Sequence, residues 1–165
     1  MPRTAEPLFL ALDQGGHSSR ALVFSTRGDL VASARQPVVT RHPHPGWVEQ
    51  DADALVDSLR TAITQVHHSL GRDAARLRAA GLATQRSNCV CWNRRTGMPL
   101  SPAISWQDRR AQDWLESLEL STDEVRTRTG LYLSPHYGAA KLRWCLDHLP
   151  DVRAAAATGE LACGP

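Results

Sequence analysis

The sequence predicts a mixed α/β fold from three observations. Three short apolar segments follow one another with turn residues between them, which is typical of an antiparallel meander. A long segment with apolar residues at helical spacing comes next. A strand of small residues, a hairpin and several short helices then follow. The 165 residues, of which 42% are hydrophobic, are enough for a sizeable core.

The first three strands are predicted at residues 8–12, 19–24 and 30–37. Gly15 and Gly16 mark the first turn, and Gly28 marks the second. A proline-rich loop follows, and a helix then begins near Asp51 or Asp53 and ends before Gly71. Together these patterns predict a helix that covers a sheet.

The strand after this helix is predicted at residues 79–84 and is expected to be buried on both faces. Polar residues 85–88 stand at its carboxyl end, where ligands collect in α/β sheets. A hairpin is predicted from residues 89–92 and 103–106, and helices from 108–118, 122–128 and 139–148. Residues 154–165 are too short and too rich in small residues to predict a strong last strand.

Composition excludes several classes of function. The formal charge of +2 comes from scattered arginines, so nucleic acid is not an expected partner. No apolar run is long enough to span a bilayer, and the first residues lack the pattern of a signal peptide, which predicts a cytoplasmic protein without membrane contact. Four cysteines without metal or disulfide spacing are interpreted as small apolar residues in a reducing compartment.

The first turn is a candidate phosphate site. Glycines allow backbone N–H groups to approach an anion, and Asp13 could bind the Mg²⁺ that accompanies a nucleotide. Ser18 or Ser19 could add a hydroxyl contact. The alternative is an ordinary hairpin turn whose aspartate hydrogen-bonds the backbone.

A second candidate site combines Arg86 with Trp106. The guanidinium offers donors to hydroxyls or phosphates, and the indole offers a flat wall for the carbon skeleton of a polyol or sugar. The alternative makes Arg109 and Arg110 a solvated helix start and Trp106 a core residue. His136 and Tyr137 lie in a loop from which either could reach a ligand.

Five segments in order resemble the amino-terminal part of the FGGY carbohydrate kinases, and among them the glycerol kinases. The segments are LALDQGGHSSRALVF, PHPGWVEQDADAL, GLATQRSNCVCWNRRTGMPLSPAISWQDRR, TGLYLSPHYGAAKLRWCLD and ATGEL. They cover nearly the whole chain, so the match does not depend on one motif.

The resemblance implies a ribonuclease-H-like domain of the actin, hexokinase and Hsp70 type. It implies Mg²⁺-dependent transfer of the γ-phosphoryl group of ATP to a hydroxyl of a small polyol or sugar. Residues 1–165 would be the amino-terminal domain, incomplete at its carboxyl end and without the second domain. The general-base aspartate of the family lies further downstream, so the 165 residues alone are expected to be inactive. The alternative is a truncated, non-catalytic homologue that binds a polyol or a protein partner. Homo-oligomerisation of the full-length form stays open.

The resemblance also assigns roles to individual positions. Those matching the metal and phosphate loop are Asp13, Gly15, Gly16, His17, Ser18 and Arg20, and those matching the substrate pocket are Arg86, Ser87, Trp106, His136 and Tyr137. The chain departs from the glycerol kinase pattern at three places. Gly16 and His17 replace two threonines, Ser87 replaces a glutamate and His136 replaces a tyrosine, unless Tyr137 shifts to fill that place. Losing a carboxylate acceptor alters specificity for a polyol more than it alters the fold.

Overall fold

The computed structural model describes residues 6–165, which separate into two compact units. The first comprises residues 6–39 and 53–85, and the second comprises residues 40–52 and 86–165. The elements, in chain order, are β1 (Leu8–Gln14), β2 (Ser18–Ser25), β3 (Leu30–Pro37), β4 (Thr40–Arg41), β5 (Glu49–Gln50), α1 (Ala52–Leu70), a 3-10 helix (Gly71–Arg76), β6 (Leu77–Ala83), β7 (Val90–Asn93), β8 (Ala103–Ile104), α2 (Gln112–Glu116), α3 (Thr122–Thr129), α4 (Gly138–His148), α5 (Pro150–Ala157) and β9 (Leu161–Gly164).

The first unit contains a four-stranded sheet in the order β3-β2-β1-β6. Strands β1, β2 and β3 form the predicted antiparallel meander, and β6 joins β1 in parallel, so the predicted mixed sheet is confirmed. The helix α1 covers one face of this sheet. Its buried residues, Ala62, Val66 and Leu70, pack with Leu8 and Val23 of the strands in one apolar core.

The prediction that the strand after α1 is buried on both faces is wrong. The strand β6 lies at the edge of the sheet, and its residues after Leu77 are exposed. It has one neighbouring strand, and Ala79, Ala80 and Gly81 carry little apolar surface with which to pack. Short apolar runs therefore do not by themselves indicate a central strand.

The second unit has two small antiparallel sheets, β4-β5-β8 and β7-β9. The predicted hairpin is present but irregular. Two isolated bridges connect its arms, one between Trp92 of β7 and Pro99 and one between Cys89, just before β7, and Ile104 of β8. The proline cannot donate to a ladder, which explains why pairing between the two arms is interrupted.

The helices of this unit agree with the sequence in part. The helices predicted at 122–128 and 139–148 correspond to α3 and α4, whereas the helix predicted at 108–118 is reduced to α2. Residues 154–165, for which no strong strand is predicted, contribute to α5 and form β9, which pairs with β7. Across residues 6–165, no helix has the length and apolar character needed to cross a membrane.

A buried arginine lies at the centre of the second unit. The guanidinium of Arg110 donates to both carboxylate oxygens of Asp108, at 2.9 and 2.8 Å, and to Glu49 at 2.8 Å. It also lies over the rings of Trp47, at 3.9 Å, and Trp144, at 4.6 Å. The side chains of Arg110 and Asp108 are each 1% exposed, so the alternative of a solvated helix start is wrong for Arg110.

Replacing Arg110 by Met should destabilise the chain strongly. Methionine keeps most of the volume between the two tryptophans but leaves the carboxylates of Asp108 and Glu49 without their cation. We expect the free energy of unfolding in urea to fall by about 3–5 kcal/mol. Arg109→Met, at the exposed neighbouring position, should change it by less than about 0.5 kcal/mol. Equal effects of the two substitutions would contradict a central role for the ion pair.

Candidate functional site

The glycine turn between β1 and β2 is tightly built. The N–H of Gly15 donates to the carbonyl of Ser18 at 3.0 Å, and a Cβ at Gly15 would lie only 3.1 Å from that oxygen. A Cβ at Gly16 would lie 3.3 Å from Oε1 of Gln85, whose amide donates to the Gly15 carbonyl at 3.2 Å. Gly15 is therefore favoured by the close approach of a backbone oxygen, whereas at Gly16 the close group is a side chain that can move.

An acidic and a basic residue flank this turn. Asp13, near the end of β1, lies opposite Arg20 of β2, and the two side chains form an ion pair. Both are partly exposed, so the pair contributes at most about 1 kcal/mol to stability. The Asp13 carboxylate is thus oriented yet still accessible to a cation.

The remaining residues of the turn differ in their roles. His17 is exposed, and its carbonyl accepts a hydrogen bond from Val38 at 3.0 Å, which ties the turn to the end of β3. Ser18 is buried. The hydroxyl of Ser19 lies 2.6 Å from that of Ser58 in α1 and accepts from Gln14 at 2.8 Å. Of the two candidate hydroxyls, that of Ser19 is therefore used within the fold.

The residues predicted to contact substrate lie in the second unit. Arg86 is exposed and lies in a turn, because β6 already ends at Ala83. Ser87 adopts a φ of 65°, a left-handed conformation that is uncommon outside glycine. Asn88 follows, buried, and its Oδ1 accepts a hydrogen bond from the N–H of Trp106 at 2.8 Å. This bond connects the Arg86 turn to the predicted aromatic wall.

Three aromatic side chains meet beside this turn. The rings of Trp106 and His136 contact edge to face with centroids 5.7 Å apart, and those of His136 and Tyr137 do so at 5.0 Å. Trp106 is 44% exposed, so it is not the core residue of the alternative interpretation. A partly exposed aromatic surface next to the turn that contains Arg86 suits the carbon skeleton and hydroxyls of a polyol or sugar.

Sequence reasoning missed Lys141 of α4. Its side chain is 1% exposed, and its ammonium donates to the carbonyl of Pro135, at 2.8 Å, and to that of His136. Lys141 thereby anchors the loop that carries His136 and Tyr137. A signal was present, because a lysine four residues before the buried Cys145 lies on the apolar face of the helix.

Burial is the main cause that lowers the pKa of Lys141 from 10.5 to about 8. Asp108 and Cys89 oppose this shift, whereas the charges of Arg109 and Arg110 reinforce it. The lysine is thus held in a cluster of fixed charges rather than by one carboxylate partner.

The donor set of the turn fits a phosphate-bound Mg²⁺ rather than a metal bound by protein alone. Within residues 6–165, no three His, Cys, Asp or Glu side chains form a group that could hold a metal ion. Magnesium beside a nucleotide commonly uses one or two carboxylates together with phosphate oxygens and water. Asp13 can supply one such carboxylate, next to a backbone without side chains at Gly15 and Gly16.

The mixed sheet that opens with a meander, with an acidic residue before a glycine turn, agrees with the ribonuclease-H-like fold of the actin and hexokinase type that the sequence predicts. The chain belongs to the FGGY family of carbohydrate kinases, whose N-terminal domain matches residues 8–162. The resemblance noted in the sequence is thereby confirmed.

Relatives and solved structures agree with this family. The chain is 46% identical over 160 residues to a glycerol kinase of Paracidovorax citrulli, covering 94% of this chain and 31% of that protein. It is 47% identical over 161 residues to a glycerol kinase of Ralstonia pickettii, covering 94% and 32%. The chain thus spans about a third of the length of these relatives.

Two solved structures have the same fold. Plasmodium falciparum glycerol kinase with ADP superposes with a TM-score of 0.88 at 23% identity, covering 97% of this chain and 32% of that one. Xylulose kinase from Rhodospirillum rubrum superposes with a TM-score of 0.82 at 29% identity, covering 90% and 30%.

The shifted pKa of Lys141 predicts a pH-dependent contribution to stability. Between about pH 8 and 10.5 the unfolded chain binds this proton more strongly than the folded chain, so the cost of burying the charge is relieved as pH rises. We therefore compare the free energy of unfolding of the unmodified chain with that of Lys141→Met. The difference, unmodified chain minus variant, should increase as pH rises across this window, by at most about 1.4 kcal/mol per pH unit. Urea titrations of both proteins at several pH values measure this difference in the free energy of unfolding. A constant or falling difference would contradict the buried ammonium.

Proposed function

We propose that this chain forms the phosphate-loop and substrate-binding part of an ATP-dependent kinase that phosphorylates a hydroxyl of a polyol or sugar. Residues 1–165 correspond in this proposal to the amino-terminal domain of the kinase. The observation that carries it is the accessible Asp13 carboxylate beside a closely packed glycine turn, in a chain that matches a carbohydrate kinase family over residues 8–162.

The phosphate side requires little covalent chemistry from the protein. Phosphoryl transfer depends mainly on positioning and on neutralising charge, and bound Mg²⁺ supplies part of that neutralisation. Asp13 would bind the ion, and the backbone at Gly15 and Gly16 would approach the phosphates. Arg20 orients Asp13 through their ion pair and lies where it could also face a phosphate. His17 is exposed on the same turn, and Ser18 lies two residues before Arg20 on β2, so we propose that both contact the phosphates.

On the substrate side, Arg86 would donate to a hydroxyl while Trp106 and His136 cover the carbon skeleton. Tyr137 extends this surface through its contact with His136. Ser87 and His136 stand where the glycerol kinase pattern has a glutamate and a tyrosine, so the acceptor capacity for substrate hydroxyls is reduced. The polyol or sugar is therefore expected to require fewer strong acceptors at these two positions.

The direct test is phosphoryl transfer by the complete gene product. Release of ADP from Mg²⁺-ATP should depend on one member of a panel that contains glycerol, longer polyols, pentuloses and sugar acids, with the phosphorylated product identified by mass spectrometry. A folded protein that gives no product with any member would contradict the proposal. A thermal shift with a polyol but no turnover would instead identify the non-catalytic binding protein.

Asp13→Asn should abolish most of the activity without unfolding the protein. The amide keeps the shape of the side chain but removes the charge that would bind Mg²⁺, which should lower kcat by about 100-fold or more. The free energy of unfolding should change by no more than about 1 kcal/mol, because the ion pair is exposed. Asp57→Asn, the same change on the exposed face of α1, is the matched control and should leave kcat unchanged. A similar loss in both variants would exclude a specific role for Asp13.

A further inference from the structure

Four cysteines, none of which the proposed kinase uses, lie together in the second unit. Cys91 of β7 and Cys145 of α4 are fully buried, and Cys89, just before β7, is nearly so. All three belong to one apolar core. The fourth, Cys163 of β9, is exposed. This arrangement places one thiol within reach of solvent next to a group of thiols that are not.

Cys91 and Cys163 are direct partners in the antiparallel pair of β7 and β9. Three positions further along the same strand pair, the N–H of Arg94 donates to the carbonyl of Glu160. Hydrogen-bonded and non-hydrogen-bonded pairs alternate along an antiparallel pair of strands, so Cys91 and Cys163 form a non-hydrogen-bonded pair. Consistent with this, the backbone of Cys91 bonds on its other side, to Ser101 and Leu100. Such partners have Cα atoms about 4.5 Å apart, inside the range of about 4.4–6.8 Å that a disulfide spans.

The chemistry of the two thiols also differs. Hydrogen bonds from the thiols of Cys145 and Cys89 lower the pKa of Cys91 to about 3, although burial opposes this. Burial and the charge of Cys91 raise the pKa of Cys163. Cys91 is thus kept from solvent with a lowered pKa, and Cys163 is a thiol that solvent can reach.

We infer that Cys91 and Cys163 form a reversible disulfide that links β7 to β9 when the chain meets a low-molecular-weight disulfide. The site is independent of the proposed kinase activity, because none of its atoms belongs to the phosphate turn or to the aromatic surface. Its position at one strand pair distinguishes it from a general reactivity of exposed thiols.

The exchange balances with oxidised glutathione as the oxidant. Cys163 loses its proton to solvent and attacks one glutathione sulfur, so a mixed disulfide forms and the first glutathione thiolate leaves. The Cys91 thiolate then attacks the Cys163 sulfur, the mixed disulfide breaks, and the second glutathione thiolate leaves. The two cysteine sulfurs lose two electrons in total, and oxidised glutathione is reduced to two thiols, which take up protons from solvent.

The other pairings are less suited to this reaction. Cys89 and Cys91 are two residues apart along an extended segment, so their Cα atoms are about 6.6 Å apart and their side chains run parallel, which does not favour a disulfide between them. Cys145 contacts both of them but is fully buried, so glutathione cannot reach any member of that trio directly. Exchange should therefore begin at Cys163, and its nearest partner across the strands is Cys91.

Peptide mapping of the oxidised chain tests this inference. The folded chain is incubated with oxidised glutathione, alkylated in acid-quenched samples and digested with trypsin without reduction. Trypsin places Cys163 in peptide 154–165, Cys145 in peptide 144–153, and Cys89 with Cys91 in peptide 87–94. We expect two of the four thiols to be lost, a cross-link between peptides 87–94 and 154–165 whose fragmentation assigns Cys91, and full reversal by dithiothreitol.

Variants separate the pair from its neighbours. Cys163→Ser, an exposed change that should not affect folding, must prevent all thiol loss, whereas Cys89→Ser should keep the cross-link. Cys91→Ser, if it folds, should stop at the mixed disulfide on Cys163. A cross-link to peptide 144–153 or to Cys89, a persistent mixed disulfide in the unmodified chain, an absence of reaction, or loss of two thiols in Cys163→Ser would each overturn the inference.

Discussion

The buried ion pair of Arg110 is the interaction on which the second unit depends. Its guanidinium reaches two carboxylates and lies between two indole rings, so it joins the segment that contains Trp47 and Glu49 to the turn at Asp108 and to Trp144 of α4. Removing such charges from water costs several kcal/mol per ion, and this cost is offset only when nearly every donor has a partner. The contacts of Arg110 therefore hold these three segments together. It also explains why residues 40–52 belong to the second unit although they precede α1.

The carboxylate of Asp108 also connects this ion pair to the candidate substrate surface. Asp108 accepts a hydrogen bond from the backbone of Val48 at 2.6 Å, and its charge favours the buried ammonium of Lys141. Lys141 in turn fixes the carbonyls of Pro135 and His136. The loop residues that would contact the substrate are therefore positioned by Lys141 and Asp108, which lie outside that loop. Binding residues in loops on a rigid scaffold are common, and here buried polar contacts hold the loop in addition to the apolar core.

The sequence was sufficient for elements whose pattern is local. Alternating and apolar runs predicted the meander, and the spacing of Ala62, Val66 and Leu70 predicted α1, because strand and helix periods differ clearly over such lengths. The sequence was not sufficient where tertiary contacts decide the environment of a residue or the formation of a strand. Arg110 resembles a solvated residue until the two carboxylates and two indoles surround it. Likewise, four residues after an alanine run become β9 only because β7 offers a partner. The glycine turn and the aromatic surface were recognised from residue type, but the anchoring by Lys141 depends on a loop conformation that no local pattern shows.

The backbone at Ser87 supports a binding role for the turn beside Arg86. A left-handed conformation costs a non-glycine residue of the order of 1 kcal/mol, and glycine would adopt it without that cost. The next residue, Asn88, is buried and bonded to Trp106, so the surroundings impose the conformation whatever side chain stands at position 87. Glycine would relieve this cost in the folded chain, although its greater freedom in the unfolded chain offsets part of the gain. Serine, which stands where the glycerol kinase pattern has glutamate, places a polar side chain in the turn that we propose contacts the substrate, and the strained backbone of this turn agrees with that proposal.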